Sequence, residues 1–452
     1  MELRGPVRRF FEKNPVVMLF LGAGGIAIAG RVINLGAIAI LVSALGSEGY
    51  GAYALTLAWA TMLMLLGSFG VPEFVTRELA IDRASGQIGI SNRFLRYLYY
   101  MQGIPLLSVI ALLVLANSIS LGESISQLGP DYIWWIVAFL PIHAIIGLNA
   151  AILRGANLIK TAVLSRDLIP SAALLASLAV MPVSDPMSAL WLYMLSQGVG
   201  MLVAFFSINR IPKIDTESGE NWPAGTRQFL QMALPFLWLS SVYFINQRAD
   251  IIMLGGLATL EEVGVYQLSV QFSVFLLFPL QLMNSLAAPR IAEAFKINDK
   301  KNIEKLSITI ASIAFLAAFS GAALIVCVFI FFGRDLLSPE FGDALPVFLI
   351  LAVGGLCNVA IGPVGMFLSM ARHEQVVVRA MFYSATVNIV LNLFLIRLMG
   401  MYGAAIATSI SMIVWNVILS TQSRDLLGLP VAHVLAIRRL SAMFKRGSAS
   451  DN

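Results

Sequence analysis

Long apolar runs recur along this chain, and they restrict its fold more than any other feature. About twelve runs are roughly 17 to 27 residues long, enough for a helix to cross the hydrocarbon core of a bilayer. Transmembrane barrels are excluded, because their strands are shorter and alternate polar with apolar residues. Helices then remain the only spanning structure that pairs every backbone polar group. The runs lie near residues 16–42, 51–72, 95–118, 131–152, 163–182, 188–208, 229–257, 264–287, 307–332, 345–370, 376–397 and 400–421.

The composition predicts the same fold class. Of the 452 residues, 58% are hydrophobic and only 12% are charged, which is too apolar for a soluble fold. The two cysteines, Cys327 and Cys357, lie inside apolar runs, so the sequence offers no disulfide framework and no metal-ligand spacing. We therefore expect an all-α polytopic membrane protein with about 12 transmembrane helices.

The connector between the first two apolar runs recurs later in the chain. Residues 45–55 read LGSEGYGAYAL, and residues 260–268 read LEEVGVYQL. Glycine is typical of points where two backbones crowd together, and tyrosine is typical of the head of a span at the membrane interface. Each copy therefore predicts a tight turn between two helices in a doubled architecture. At a constant offset of 213, Glu48 pairs with Glu261, Gly51 with Gly264, and Tyr53 with Tyr266.

A polar stretch at residues 209–228 divides the chain into two halves of six spans each. Because six is even, the two halves enter the membrane in the same sense, which predicts two parallel six-helix lobes with a central cavity between them. In the tail, Val434, Ile437, Leu440 and Phe444 recur at helical spacing, which favours either an interfacial helix or a solvated basic tail. The predicted domains are an N-terminus at 1–15, a first lobe at 16–208, a linker at 209–228, a second lobe at 229–423 and a basic cytoplasmic tail at 424–452.

Basic residues are concentrated on one side of the predicted topology. If the N-terminus is cytoplasmic, all but four of the 30 lysines and arginines fall in cytoplasmic segments, which is the bias of the positive-inside rule. The sequence thus predicts a multi-pass protein of the cell inner (cytoplasmic) membrane with both termini in the cytoplasm. Its net charge of +5 indicates contact with membrane lipids rather than with nucleic acid. The four basic residues that lie outside the cytoplasmic segments are Arg31, Arg248, Arg334 and Arg397.

Five segments of the chain are informative together: LGSEGYGAYAL at 45–55, VPEFVTRELA with Arg77, LRGANLIK at 153–160, ALPFLWLSS at 233–241 and RADIIMLGGL at 248–257. Taken together, they resemble the polysaccharide exporters. These are the O-antigen (Wzx-type) and other lipid-linked oligosaccharide flippases of the multidrug/oligosaccharidyl-lipid/polysaccharide superfamily. The resemblance covers about residues 15–425 and implies a MATE-like fold. It further implies a flippase, not an enzyme, that moves a polyprenyl-diphosphate-linked oligosaccharide to the periplasmic leaflet by alternating access, with a polysaccharide polymerase and other assembly proteins as expected partners.

Two arginines are candidate ligands of that diphosphate. A charge inside a span costs a few kcal/mol, so it indicates function by default. Arg31 lies roughly 25 Å from either flank of its span, with Asn34 on the same helical face, and Arg248 lies in the seventh span. A guanidinium pairs with phosphate oxygens through parallel donors. We expect no carboxylate in the first-half spans to neutralise Arg31, although pairing with an acid or a carbonyl for packing alone is the alternative.

Polar residues on the seventh and eighth spans predict a cavity lining for sugar hydroxyls, or else hydrogen bonds between helices. Ser240, Tyr243, Gln247 and Asp250 share one helical face of the seventh span. Four basic residues near the predicted cytoplasmic ends would collect the diphosphate at an inner mouth, although topology-setting charge explains them equally well. The cavity-lining candidates are Asn34, Tyr243, Gln247, Gln267 and Gln271, and the inner-mouth candidates are Arg77, Arg154, Arg166 and Arg290.

Energy coupling requires a group that binds a proton or a cation. Asp250 is the carboxylate that the sequence places well inside a span. Similarity to the lipid II flippases implies a second-lobe cation site, which Asn388, Asn392 and Thr408 would complete with oxygen ligands suited to a hard ion. Asn392 stands where a second carboxylate would be expected. We expect no cofactor other than Na⁺ or H⁺ as a coupling ion.

Three other functions are alternatives to a flippase for glycan repeat units. A MATE-type multidrug/cation antiporter would carry an acid in the first span, where this chain has Arg31 and Asn34. A lipid II flippase would have further spans. A membrane glycan polymerase or ligase would need a large periplasmic loop with catalytic residues, whereas the outer loops near residues 117–131 and 333–343 are short and acidic.

Overall fold

The computed structural model describes most of the chain. The described residues are 22–86, 89–118, 127–213, 222, 225–297, 299–336 and 339–428. The predicted N-terminal segment at 1–15, much of the linker at 209–228, and the tail beyond residue 428 with its proposed interfacial helix lie outside them. Within these ranges the regular structure is helical and contains no strand, as predicted.

Thirteen α-helices are numbered here in chain order. A π-helical segment, Leu164–Leu168, joins α5 to α6, and a 3₁₀ turn, Pro339–Phe341, precedes α11. The helices are α1 Ala23–Ser68, α2 Val71–Ala84, α3 Asn92–Ser118, α4 Pro130–Gly155, α5 Ile159–Val163, α6 Ile169–Val180, α7 Pro186–Ile208, α8 Thr226–Leu257, α9 Leu260–Lys296, α10 Lys300–Leu336, α11 Ala344–Ile361, α12 Val364–Met370 and α13 Glu374–Leu427.

The thirteen α-helices are those of the described residues, and within them 10 helical stretches are long and apolar enough to span a membrane. Two of them, in α1 with 46 residues and α13 with 54, are long enough to cross twice. Each bends at a glycine, Gly46 with φ 68° and Gly400 with φ 55°, a conformation that glycine adopts without strain. Counting each as two spans gives the expected twelve, so the protein is a multi-pass membrane protein of the predicted fold class.

Two predicted spans differ in detail from the structure. The run at 345–370 is not one helix, because α11 ends at Ile361 and Gly362 has φ 84° before Pro363. A proline has no N–H for the helical ladder, so α12 begins as a separate helix. The run at 163–182 belongs to a spanning segment that begins earlier, at Ile159.

By compactness the chain divides into a first unit through Gly264 and a second unit from Val265. In the first unit, α8 packs against α1 and α2 although it follows the predicted linker. Phe74 of α2 lies edge-on to Phe229 of α8, with 5.0 Å between ring centroids. The lobe division at residues 209–228 stays a prediction.

The two glycines of the repeated connector lie against one another. A Cβ at Gly51 would collide with the carbonyl oxygen of Leu260, and a Cβ at Gly264 would collide with that of Ser47. Each of these Cβ positions is 3.0 Å from the backbone nitrogen of the other glycine. Since Ser47 and Leu260 are also 213 residues apart, the contact is reciprocal. The prediction of glycine at a crowded backbone is confirmed.

The second unit is built from α9 to α13. Its α11 packs closely on α13, where Ser409 donates to the carbonyl oxygen of Ile350 at 2.7 Å and a Cβ at Gly354 would lie 2.8 Å from the Ser409 Cα. Phe348 and Phe367 are fully buried in its apolar clusters. The unit therefore has its own core.

Candidate functional site

A π-helical turn in the first unit is held between two glycines. A Cβ at Gly30 of α1 would lie 3.1 Å from the carbonyl carbon of Asp167, so the two backbones touch. On α7, a Cβ at Gly200 would collide with the carbonyl oxygen of Ser165. π-Helical turns are rare and frequently occur at functional sites. In this turn the Arg166 and Asp167 side chains are exposed.

Charged side chains from four elements converge at this turn. Arg31 of α1, Arg154 of α4 and Arg166 of the turn all act electrostatically on the Asp167 carboxylate. Arg154 also interacts electrostatically with Glu73 of α2. Arg31 is exposed and Arg154 is half-buried. We call these five residues the charged cluster.

Asp167 corrects two expectations from the sequence. A carboxylate does lie within a span of the first half, so Arg31 has an acid nearby, and Asp250 is not the one intramembrane acid. The sequence suggested a loop flank at this point, because Arg166 and Asp167 stand near the start of an apolar run. The helical segment in fact begins at Ile159, which moves Asp167 eight residues inside it.

The second predicted phosphate ligand, Arg248, connects to the charged cluster through aromatic rings. Arg248 acts electrostatically on Tyr50 and Tyr193, and Arg166 also acts on Tyr193. The Tyr193 ring lies edge-on to Tyr53 with 6.2 Å between centroids. No sequence pattern marks Tyr193 as a site residue, since only the tertiary fold brings it close to both arginines.

These arginines lie at successive depths. Arg154 is the penultimate residue of α4, Arg166 lies seven residues past Ile159, and Arg248 lies nine residues before the opposite end of its own span at Leu257. The α4 and α5 ends share one membrane side, whereas α8 ends on the other. The first unit thus carries a series of guanidinium groups from one membrane side toward the other.

The polar face of α8 is divided between exposed and buried residues. Tyr243 is 56% exposed, and its hydroxyl accepts a hydrogen bond from Gln247 Nε2 at 3.1 Å. Asp250 is only 6% exposed, and its Oδ1 accepts from the Ile251 backbone N–H at 2.9 Å. Asn34 is half-buried, one turn beyond Arg31. Tyr243 and Gln247 are therefore exposed, whereas Asp250 on the same helical face is buried.

In the second unit, three of the four predicted coupling residues meet in one hydrogen-bond network. Asn392 Nδ2 donates to Asn388 Oδ1 at 3.0 Å, and Asn388 Nδ2 donates to Ser411 Oγ at 3.3 Å and to Thr408 Oγ1 at 3.4 Å. The Thr408 hydroxyl lies 3.2 Å from the Tyr266 hydroxyl. We call these five residues the amide network. Asp250, the fourth predicted residue, belongs to the first unit.

Three buried amide oxygens in the second unit lack a hydrogen bond from any described residue, and one of them is Asn284 Oδ1. Two of them belong to predicted site residues. They are Asn392 Oδ1 in the amide network and Gln267 Oε1 on α9, while Gln271 is half-buried one turn further on. Unsatisfied buried acceptors are uncommon and call for a partner such as a water or an ion. The amide network therefore has a free oxygen available to a cation or a hydroxyl.

The four predicted inner-mouth arginines do not form one group. Arg154 and Arg166 join the charged cluster. Arg77 instead lies 3.5 Å from Glu78 and 5.9 Å from the centroid of the Phe236 ring. Arg290 is an exposed residue of the second unit. The structure thus brings together two of the four.

Comparison with known proteins identifies relatives in sequence and in fold. A family profile described as "Polysaccharide biosynthesis protein" matches residues 21–295. Over 176 residues the chain is 26% identical to the "Probable low-salt glycan biosynthesis flippase Agl15" of Haloferax volcanii, and this match spans only 37% of the chain and 36% of that protein.

Solved structures show the same fold at low sequence identity. An inward-facing MATE family multidrug resistance transporter of the MOP superfamily matches with a TM-score of 0.65 and 14% identity, over 87% of this chain and 94% of that one. The lipid II flippase MurJ in an inward closed conformation matches with a TM-score of 0.68 and 14% identity, over 88% and 87%. These similarities confirm the resemblance seen in the sequence. Because the family profile covers more than half of the chain, the protein belongs to the polysaccharide biosynthesis protein family.

Proposed function

We propose that the protein is a flippase that moves a polyprenyl-diphosphate-linked oligosaccharide, such as an O-antigen or another surface polysaccharide repeat unit, across the cytoplasmic membrane by alternating access. The family and the fold support a transporter in glycan assembly. The basic bias of the sequence supports cytoplasmic termini. The observation that carries the proposal is the series of arginines through the first unit.

The charge balance of this series favours an anionic substrate. Arg31, Arg154, Arg166 and Arg248 supply four positive charges, Glu73 and Asp167 return two negative ones, and Asp250, buried two residues from Arg248, returns a third while it is ionised. At bilayer depth each unbalanced charge costs about 3 kcal/mol on insertion scales. A diphosphate diester carries two formal negative charges, so it would neutralise the remainder. A cationic drug, which is the substrate type of an antiporter, would instead add to the unbalanced positive charge.

Polar and aromatic groups beside the arginines suit the sugar part of the substrate. Tyr243 and Gln247 already hydrogen-bond to one another on an exposed face, and both can exchange that bond for sugar hydroxyls. Tyr193, between Arg166 and Arg248, offers an aromatic ring. The prenyl chain would remain in lipid. Translocation then needs binding and a change of conformation, but no bond is made or broken.

The amide network supplies the ion-coupling part of the proposal. A coupling Na⁺ would take oxygen ligands from Asn392, Asn388 and Thr408, with Asp250 as the titratable group of the mechanism. The free Oδ1 of Asn392 fits a hard cation, which prefers oxygen donors. H⁺ coupling would instead depend on Asp250 or Asp167.

Deletion of the gene in its native host tests the function. We expect one surface glycan to disappear while its lipid-linked repeat unit accumulates on the inner leaflet. Wild-type protein on a plasmid should restore the glycan. If single repeat units instead reached the outer surface without the gene, the protein would be a polymerase or ligase, and the flippase proposal would be wrong.

A further inference from the structure

Each unit contains a small cavity, and the two cavities occupy equivalent places in the repeat. In the first unit, Leu79, Arg83 and Ile90 line a cavity at the end of α2. In the second, Ala292, Lys296 and Ile303 line a cavity at the end of α9. The corresponding pairs are Leu79 and Ala292, Arg83 and Lys296, and Ile90 and Ile303. The two members of each pair are 213 residues apart, which is the offset of the repeated connector. The first wall of the cavity is therefore the same part of the fold in both units.

A matching turn forms the second wall. In the first unit, the Leu158 N–H donates to the Leu153 carbonyl at 2.8 Å, next to Asn157 with φ 65°. In the second, the His373 N–H donates to the Leu368 carbonyl at 2.8 Å, next to Arg372 with φ 65°. The corresponding residues of the two turns are 215 positions apart.

The third wall follows the same offset. Ile211 and Pro212 line the first cavity, and the residues 215 positions later, Leu426 and Leu427, line the second. All three walls thus correspond, and the residues that differ between the cavities can be compared directly.

The first cavity is closed by its own chain. Its Asp82 carboxylate accepts a hydrogen bond from Trp222 Nε1 at 2.7 Å. The Trp222 ring packs against Phe94 and Phe74, with 4.5 and 5.6 Å between centroids. The volume left is about 160 Å³. A residue that follows α7 therefore satisfies the one acid of this cavity.

The second cavity has no counterpart of this acid and contains more basic groups than the first. Phe295 stands at the position of Asp82, and Arg372 and His373 stand at the positions of Asn157 and Leu158. With Lys296 and Lys300, four basic side chains line a cavity of about 640 Å³, and no carboxylate is among its described lining residues. Such a site attracts an anion.

The surroundings of the second cavity are those of a lipid site. Apolar side chains also line it, among them Phe295, Ile303 and Leu426. Met370 of the lining is 39% exposed, and Ile297, which follows Lys296 in the chain, is 65% exposed. Basic pockets between helices on the cytoplasmic side of membrane proteins bind phosphate headgroups. Apolar rim residues suit the glycerol and acyl portion of the same molecule.

We propose that this cavity binds the phosphate headgroup of an anionic membrane lipid. The tail after residue 428 is the alternative occupant, because in the first unit the residue that closes the cavity follows the corresponding helix. The tail carries Arg438, Arg439, Lys445 and Arg446, which have the same sign of charge as the cavity. Charge complementarity therefore favours the lipid. None of the residues that line this cavity belongs to the arginine series of the first unit.

The experiment compares lipid binding by the full-length protein and two matched variants. Native mass spectrometry with phosphatidylglycerol or cardiolipin counts retained lipids, and phosphatidylcholine serves as the neutral lipid. We expect K296Q/K300Q/R372Q to bind the anionic lipids at least about tenfold more weakly, because each basic residue contributes to headgroup attraction. The matched control, R83Q/R210Q in the first cavity, should bind as the wild type does.

Three outcomes would overturn the proposal. One is equal retention by the triple variant and the wild type. Another is thermal stabilisation by inorganic phosphate equal to that by anionic lipid, which would indicate a site for free anions. The third is anionic lipid binding that appears only after truncation at Gly428, which would make the tail the occupant. The variant K296R/K300R keeps both positive charges, so it should bind the anionic lipids as the wild type does, with an unchanged elution profile. This result separates the loss of charge from misfolding.

Discussion

The two units place different chemistry at equivalent positions of one helix contact. In the first, the Tyr53 ring lies edge-on to Tyr193. In the second, the Tyr266 hydroxyl lies 3.2 Å from that of Thr408. The repeat offsets of 213 and 215 relate these pairs, so the contact is aromatic in one unit and a hydrogen bond in the other. The duplicated scaffold is retained while its side chains differ.

The same contrast extends to charge. Arg166 and Asp167 form the centre of the charged cluster, whereas the residues 215 positions later are Met381 and Phe382. The second unit instead buries neutral amides, with Asn388 and Asn392 at most 3% exposed. Guanidinium groups suit phosphate, and amide oxygens suit a small cation or a proton donor. We therefore propose that the first unit binds the substrate and that the amide network of the second senses the coupling ion.

The largest expected effect concerns the feature that both copies share. Gly51→Ala and Gly264→Ala should each lower the free energy of unfolding by about 3 kcal/mol or more, because the new methyl group would overlap a backbone carbonyl that cannot move alone. Gly147→Ala is the control, since open space surrounds that position. Thermal unfolding in detergent measures the difference. Equal midpoints for Gly51→Ala and Gly147→Ala would contradict the reciprocal contact.

The second largest effect is expected from removing a positive charge that the first unit alone carries. Arg31→Ala should reduce flipping of the lipid-linked glycan in proteoliposomes by roughly 10- to 100-fold, because charge-assisted hydrogen bonds contribute about 1.5–3 kcal/mol each. Arg397→Ala removes an exposed arginine of the second unit and should leave flipping unchanged. Equal losses in both variants would indicate a general effect of charge rather than a phosphate ligand.

Local patterns predicted the residues whose role depends on helix position. Gly51 and Gly264 could be predicted because a doubled connector with glycine at the same place implies crowded backbones, and Arg31 because a charge deep in a span needs a partner. Asp167 could not, since its depth depends on where the helix begins and on a π-helical turn that no residue pattern specifies. Tyr193 becomes relevant only through packing between distant segments.

The association of Asn388, Asn392 and Thr408 was predicted from a resemblance rather than from spacing. Asn388 and Asn392 are one turn apart on α13, so their contact follows from helix geometry. The approach of Thr408 depends on the bend at Gly400, which brings the second half of α13 back along the first. Sequence alone gives no signal for the unpaired Asn392 oxygen.

A smaller effect should come from removing the acid that separates the arginines. Asp167→Asn keeps the shape of the side chain but leaves the charged cluster more positive. We expect the apparent KM for the lipid-linked glycan to fall several-fold and the turnover to fall with it, because a phosphate that is bound more tightly leaves more slowly. Flipping rates measured across a range of substrate concentrations distinguish the change in KM from the change in turnover. A raised KM would show that Asp167 positions the arginines instead.

The smallest expected effect is in the second unit, where Thr408→Val removes a hydroxyl next to Tyr266 and Asn388. Each lost hydrogen bond contributes about 1 kcal/mol, so stability should fall by about that amount while the KM for the glycan stays the same. If the amide network senses the coupling ion, the dependence of flipping on Na⁺ or pH should become flatter. Tyr193→Phe, its counterpart in the first unit, should leave that dependence intact. A changed KM with unchanged ion dependence in Thr408→Val would reverse the assignment, because it would place substrate binding in the second unit.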